Sequence, residues 1–281
     1  VGSDCLRANT TADNNTAVGK AALTANTTGA NNVAVGSLAL DANTSGNANT
    51  AVGQVSLTAN TTGDLNTAIG KGSLENATTA DSNTAVGFNS LNTNTTGHSN
   101  VAVGALALDA NTTASFNTAV GFQALTTSTT ATSNSAFGYN SLRKTTTGNN
   151  NTAVGFEALI ANTTGGNNTA VGKDALAANT TAINNVAVGF DALGANTTGA
   201  NNVAVGANAL DANTTGTQNV AIGEQALSAA TTNSGAIAIG YRAADSSPGG
   251  QGIFIGYDCL QGATGVHTRG LYMGYQLESS N

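Results

Sequence analysis

The sequence predicts an all-β fold, a parallel β-solenoid (β-roll) of about sixteen coils. Three observations carry this: a 17-residue glycine period, β-branched residues two apart before each glycine, and a polar turn segment after it. Gly falls at 2, 19, 36 and onward to 240 at a constant spacing of 17, and Gly256 and Gly274 follow at spacings of 16 and 18. Paired helices need about 33 residues per repeat, so a unit this short excludes them. One short strand, a shorter second one and the turns between them do fit.

With each Gly as position 0, the first element is a strand from −4 to 0, reading Asn-Thr/Val-Ala-Val-Gly as in Asn32 to Gly36. A shorter strand is expected from +2 to +6, where Leu holds +4 from Leu6 to Leu227. Positions +7 to +10 usually read Asn-Thr-Thr-Gly, as in Asn26 to Gly29, which is turn chemistry. Ala replaces the Gly at +10 in Ala80, Ala114, Ala131 and Ala182, so a positive φ is not required there. The regular repeat covers residues 1–240, and residues 241–281 form irregular, aromatic-rich terminal coils or a cap.

In-register stacking at the ~4.8 Å strand spacing places each residue over its equivalent, so such coils would make a rod roughly 75 Å long. Apolar positions then become columns: Val18, Val35, Val52, Val86 and Val103 at −1, with Leu23, Leu40, Leu57, Leu74 and Leu91 at +4, are the expected core. Each such side chain contributes on the order of 1.5–3 kcal/mol when fully buried. A single coil cannot offset its own ordering entropy, so stability has to come from stacking. Asn15, Asn32, Asn49, Asn66, Asn83 and Asn100 at −4 are expected to form an amide ladder, and the Asn at +7 a second one.

If the residues at −3 and −1 line the interior, strand alternation sends −2 and 0 outward. Position −2 is Ala in every one of Ala17, Ala34, Ala51, Ala68, Ala85, Ala102, Ala119, Ala136, Ala153, Ala170, Ala187, Ala204, Ala221 and Ala238. A freely solvated face would vary, so this Ala/Gly face is expected to pack closely against identical chains. The competing explanation is that small residues merely relieve crowding in a narrow coil.

The segments Asn31-Asn32-Val33-Ala34-Val35-Gly36, Asn202 to Gly206 and Ile237 to Ala243 resemble the Asn-Ser-Val-Ala-Ile-Gly repeats of trimeric autotransporter adhesin heads, the YadA-like β-roll. The longer unit, Asn-Thr-Ala-Val-Gly-Phe-x-Ala-Leu-x-x-Asn-Thr-Thr-Gly, is similar to repeats of bacterial and phage tail-fibre-like proteins. The likeness covers roughly residues 1–245. It implies a left-handed roll, a homotrimer, and surface display or adhesion, on a cell or a virion. The adhesin-head unit is usually shorter than 17 residues, and no stalk, membrane anchor or chaperone domain is recognisable.

From Tyr241 the pattern loosens, and four of the five Tyr fall there (Tyr241, Tyr257, Tyr272, Tyr275), beside Phe254, His267, Arg269 and the one proline, Pro248. Capping coils are the expectation, with a receptor-contact tip as the alternative. Cys5 and Cys259 each lie three residues after a Gly, near opposite ends of the repeat. Either they replace the small residue usual at +3, or they form a bond between successive chains. Aromatic residues at +1 on the successive coils of Phe122, Tyr139 and Phe156 are expected to stack rather than to form a carbohydrate platform.

A net charge of −7, with 8 Lys+Arg, gives no cationic stripe for nucleic acid. No apolar run is long enough to insert in a membrane. His98 and His267 lie far apart and no His/Cys cluster has metal spacing, so neither an enzyme nor a cofactor is expected. Asp41, Asp109 and Asp211 share position +5 on non-adjacent coils and are expected to be solvated. Asn-x-Thr triplets such as Asn26-Thr27-Thr28 match the glycosylation pattern, but a ladder explains them equally well. The expected function is a non-enzymatic extracellular fibre or adhesin-head segment partnered by identical chains, with an unidentified surface receptor possible. A self-assembling filament built by end-to-end stacking and an ice-binding solenoid are the alternatives.

Overall fold

The computed structural model describes residues 2–245, 251–260 and 269–277. Pro248 and His267 lie outside the described residues, as does the side chain of Arg269. The regular structure is parallel strand in two compact units, Val1–Tyr139 and Asn140–Asn281. Unit 1 holds β1 (Thr16–Val18), β2 (Val33–Val35), β3 (Thr50–Val52), β4 (Thr67–Ile69), β5 (Thr84–Val86), β6 (Val101–Val103), β7 (Thr118–Val120) and β8 (Ser135–Phe137). Unit 2 holds β9 (Thr152–Val154), β10 (Thr169–Val171), β11 (Val186–Val188), β12 (Val203–Val205), β13 (Val220–Ile222), β14 (Ile237–Ile239), β15 (Gln251–Ile255) and β16 (Arg269–Met273). Within each unit, each strand pairs in parallel with the next at a register of one repeat, Ala34 on Ala51 and Val35 on Val52. The chain is a β-solenoid.

The strand is shorter than the sequence predicts, covering only −3 to −1, and the expected strand at +2 to +6 does not form. That segment is a run of turns in which +2 and +4 adopt left-handed backbone, as in Leu38 (φ 59°) and Leu40 (φ 53°). Such conformations cost an L-residue roughly 1–2 kcal/mol. Hydrogen bonds between coils offset this in the turns as well as in the strands. Leu38 N–H donates to Lys20 O at 2.9 Å, Leu40 N–H to Ser56 O at 3.0 Å and Thr27 N–H to Thr44 O at 3.0 Å. The alternating left-handed residues also turn the side chains of +3 and +4 the same way. Ala39 and Leu40 are both fully buried, whereas strand neighbours would face opposite sides.

This geometry reverses the expected direction of the strand. Ala34, Ala51, Ala68, Ala85, Ala102, Ala119, Ala136, Ala153, Ala170, Ala187, Ala204, Ala221 and Ala238 are 0% exposed and Ala17 is 8% exposed, so this column lines the chain's own interior and cannot pack between chains. Val18 is 42% exposed, and Val35, Val52, Val86 and Val103 are half-buried on the outward side. The physical reason is space. The Leu at +4 and the Asn at −4 and +7 already fill the narrow coil, which leaves room for only a methyl group on the strand's inward face. Leu23, Leu40, Leu57, Leu74 and Leu91 occupy the core and are fully buried.

Both Asn columns are inside and both form ladders. At −4, Asn49 Oδ1 accepts the backbone N–H of Asn66 at 2.9 Å, while Asn49 Nδ2 donates to Gly63 O at 2.8 Å. The same pattern runs through Asn15, Asn32, Asn66, Asn83 and Asn100. At +7 the ladder is side chain to side chain: Asn43 Nδ2 donates to Asn26 Oδ1 at 2.8 Å and to Gly46 O at 3.0 Å. From Asn26 onward the Asn of the Asn-Thr-Thr triplets is thus sealed in the core.

The interior changes at β15. Opposite Ala238 stand Phe254 and Tyr272, stacked with centroids 5.4 Å apart at 4°, and Phe254 is 1% exposed. Gly252 and Gly270 replace Asn at −4, and a Cβ on Gly252 would lie 2.6 Å from Phe254 Cζ. The ring fills the volume that the Asn and Ala side chains fill in earlier coils, and both strands lengthen to five residues.

Candidate functional site

With Ala inside, the residues at −3 and −1 form the outer face of each sheet. In unit 2 the −3 column turns aliphatic from β11 onward, running Val186, Val203, Val220, Ile237, Ile253 and Leu271. Beside it run Val188, Val205, Ile222, Ile239, Ile255 and Met273 at −1. Exposure along the −1 column is 36–39% from Val188 to Ile239 and reaches 61% at Met273. The twelve residues carry no charge. Parallel sheets are ordinarily covered on both faces, so an aliphatic outer face is the unusual feature of this molecule.

Alongside lies the +1 column, which holds most of the exposed aromatic rings. Phe122 stacks on Tyr139 (5.5 Å, 13°), Tyr241 on Tyr257 (5.0 Å, 21°) and Tyr257 on Tyr275 (5.2 Å, 13°). Lys173 stands between Phe156 and Phe190 with its ammonium 5.9 and 5.3 Å from the two centroids, so a cation continues the column. Rings stacked in this way cover one another's faces and present edges to solvent, which removes the flat π-surface a sugar would need.

The Thr at +8 donates its hydroxyl to the carbonyl of the next coil, as Thr44 does to Thr61 O at 3.0 Å. The exposed Thr at +9, from Thr28 to Thr232 with Ser45 as the one exception, forms a column one residue wide. His98 packs edge-on against Phe116 (5.0 Å, 90°). Cys5 and Cys259 both sit in the small-residue position at +3. Cys259 is fully buried, 3.6 Å from Tyr272 O, and burial pushes its thiol pKa up. A bond from Cys259 to another chain would require its coil to open, so the structure overturns that expectation. Among the described residues no group of three His, Cys, Asp or Glu is arranged to hold a metal ion, and no helix is long and apolar enough to cross a membrane.

Position +5 departs from the expectation of solvated acids. Where it carries Thr or Asn, the side chain donates to the +2 carbonyl of the preceding coil: Thr58 to Leu38 O at 2.9 Å, Asn92 to Gly72 O at 2.8 Å and Thr126 to Leu106 O at 3.1 Å. A carboxylate has no proton to give. Asp41, Asp109 and Asp211 each have a buried Oδ1 with no partner, and burial raises the pKa of all three, with the Asp191 carboxylate adding to the effect at Asp211. A raised folded-state pKa means the folded chain holds the proton more tightly. The contribution to stability is therefore greatest on the acid side and falls as pH rises through the folded value. Asp109→Thr is expected to raise stability at pH 7 by about 1 kcal/mol and to flatten its pH dependence. Urea midpoints at neutral and mildly acidic pH check both.

No family model, curated protein or solved structure matches this chain.

Proposed function

We propose that the chain is a non-enzymatic structural segment, a β-solenoid spacer or head displayed outside the cell or on a virion, which associates with identical chains through its outward strand face. The observation that carries this reading is the paired aliphatic column on β11–β16, uncharged and half-exposed. The six strands β11–β16 at ~4.8 Å, each presenting a face about 10 Å wide, offer on the order of 300 Å². Homotypic packing suits the face because identical columns at one spacing interdigitate without any charge to pair. The resemblance of the Asn-x-Val-Ala-Val-Gly repeats to trimeric adhesin heads supports a trimer and a role in display or attachment.

Sedimentation equilibrium tests the reading. The expected result is a mass of three chains at micromolar concentration for the natural sequence, falling to one chain when Val188 and Val205 are both changed to Lys. The circular dichroism of that variant should be unchanged, since both side chains point outward. A natural chain that sediments as a monomer would remove the proposal, and filaments in negative-stain images would replace it with end-to-end assembly.

A further inference from the structure

The +7 ladder lacks Asn at Ala77, Ser128, Thr145 and Ala230. Thr145 Oγ1 still accepts from Asn162 Nδ2 at 3.3 Å, while the interruptions at Ala77, Ser128 and Ala230 each leave an Asn oxygen on the preceding coil buried without a partner. These are Asn60 Oδ1, Asn111 Oδ1 and Asn213 Oδ1, all on fully buried residues, and Ser128 Oγ is likewise unpartnered. We infer that each of the interruptions at Ala77, Ser128 and Ala230 is an internal water-binding site in which one water takes over the bonds of the missing carboxamide.

The bonding at Ala77 can be read from the intact rungs. Asn60 Nδ2 donates to Asn43 Oδ1 at 2.8 Å and to Gly63 O at 3.0 Å, and the Oδ1 of a rung receives the Nδ2 of the next, as Asn94 Oδ1 does from Asn111 at 2.8 Å. At position 77 a water donates one hydrogen to Asn60 Oδ1 and the other to Ala80 O, the carbonyl equivalent to Gly63 O. Its oxygen accepts from Asn94 Nδ2, whose other hydrogen goes to Gly97 O at 2.9 Å. Three bonds of this kind are typical of a buried water.

The space does not close, because backbone bonds fix the coil spacing. Thr61 N–H reaches Thr78 O at 2.9 Å and Thr78 N–H reaches Thr95 O at 3.0 Å, as Thr44 N–H reaches Thr61 O at 2.9 Å beside an intact rung. Losing a carboxamide at constant spacing leaves about the volume of one water, ~30 Å³, and polar walls keep such a space wet. At Ser128 the water bridges Oγ to Asn111 Oδ1. At Ala230 it joins Asn213 Oδ1 to Asn233 O.

Oxygen-17 magnetic relaxation dispersion on the whole chain counts long-lived internal waters. The count is expected to fall by one in Ala77→Asn, which restores the carboxamide that neighbouring coils already accommodate, and by one more when Ala230→Asn is added. A high-resolution crystal structure of the natural chain should show density within hydrogen-bonding distance of Asn60 Oδ1. An unchanged count in the variants, or a crystal structure in which Asn60 turns away and the coils close over Ala77, overturns the inference.

Discussion

Replacing Gly53 with Ala is expected to cost about 3–5 kcal/mol, read as a large drop in the urea midpoint of the chain. Two effects act together at this position. Its φ of 143° lies in a region that L side chains rarely adopt, and a Cβ would stand 2.4 Å from Gly70 O and 2.6 Å from Gly70 C. The contact is with backbone on the next coil, so no rotamer change relieves it. Either Gly53 leaves its conformation or the two coils separate, and separation breaks Gly70 N–H to Val52 O, now 2.7 Å, and its neighbours. Gly36 and Gly70 meet the following coil in the same way, so the 17-residue glycine period marks the line along which each coil rests on the next. Gly63→Ala separates the two effects: its position carries no positive φ and its equivalents are Ala80, Ala114 and Ala131, but a Cβ would stand 2.3 Å from Ala80 O, so a loss from the close contact alone, without the conformational cost, is expected.

That contrast shows which parts of the molecule could be read from residues alone. Stacking, parallel register and both Asn ladders follow from identity at a fixed spacing, because in-register coils place like on like whatever their internal path. The direction of a side chain depends on that path, and here the reading failed. Val18 and Ala17 alternate as a strand requires, but which of them points inward is set by the volume the closed coil leaves, and Leu23 had already taken it. Neither could the left-handed backbone at Leu38 and Leu40 be foreseen, since Leu has no preference for it and the conformation is imposed by bonds to adjacent coils. The buried oxygens of Asp41, Asp109 and Asp211 follow from the same turns. The signal that could have found them is the alternation of Asp with Thr and Asn at +5, a donor position occupied by a group with no donor when ionised. The outward aliphatic face was visible in composition, as a −3 column that changes from Thr to Val and Ile after Thr169, but it was assigned to the wrong side of the wall.

Asn49→Ala is expected to destabilise the chain by about 2–4 kcal/mol, more than a core truncation of the same size, because the carboxamide serves two coils at once. Its Oδ1 accepts the backbone N–H of Asn66 at 2.9 Å and its Nδ2 donates to Gly63 O at 2.8 Å, both groups shut away from water. Asn66 Nδ2 also reaches Asn49 Oδ1, at 3.2 Å. Ala leaves the buried Asn66 N–H without its partner, which costs roughly 1–3 kcal/mol for an orphaned backbone group, and strips Gly63 O of one of its two donors, leaving only Asn60 Nδ2 at 3.0 Å. Asn49→Asp separates the two roles: the carboxylate keeps the acceptor for Asn66 N–H but sets an oxygen against Gly63 O where Nδ2 had donated. That repulsion disappears on protonation, so Asn49→Asp should recover much of its lost stability on acidification while Asn49→Ala does not. If both variants lose the same amount at every pH, the ladder acts by filling volume rather than by hydrogen bonding. At Ala236, where the −4 position lacks Asn, Ala236 N–H still donates to Asn219 Oδ1 at 3.0 Å, so a coil can receive the bond without passing it on. The loss in Asn49→Ala should therefore appear at the coil after the mutation, as faster hydrogen exchange of the Asn66 amide than of the Asn32 amide.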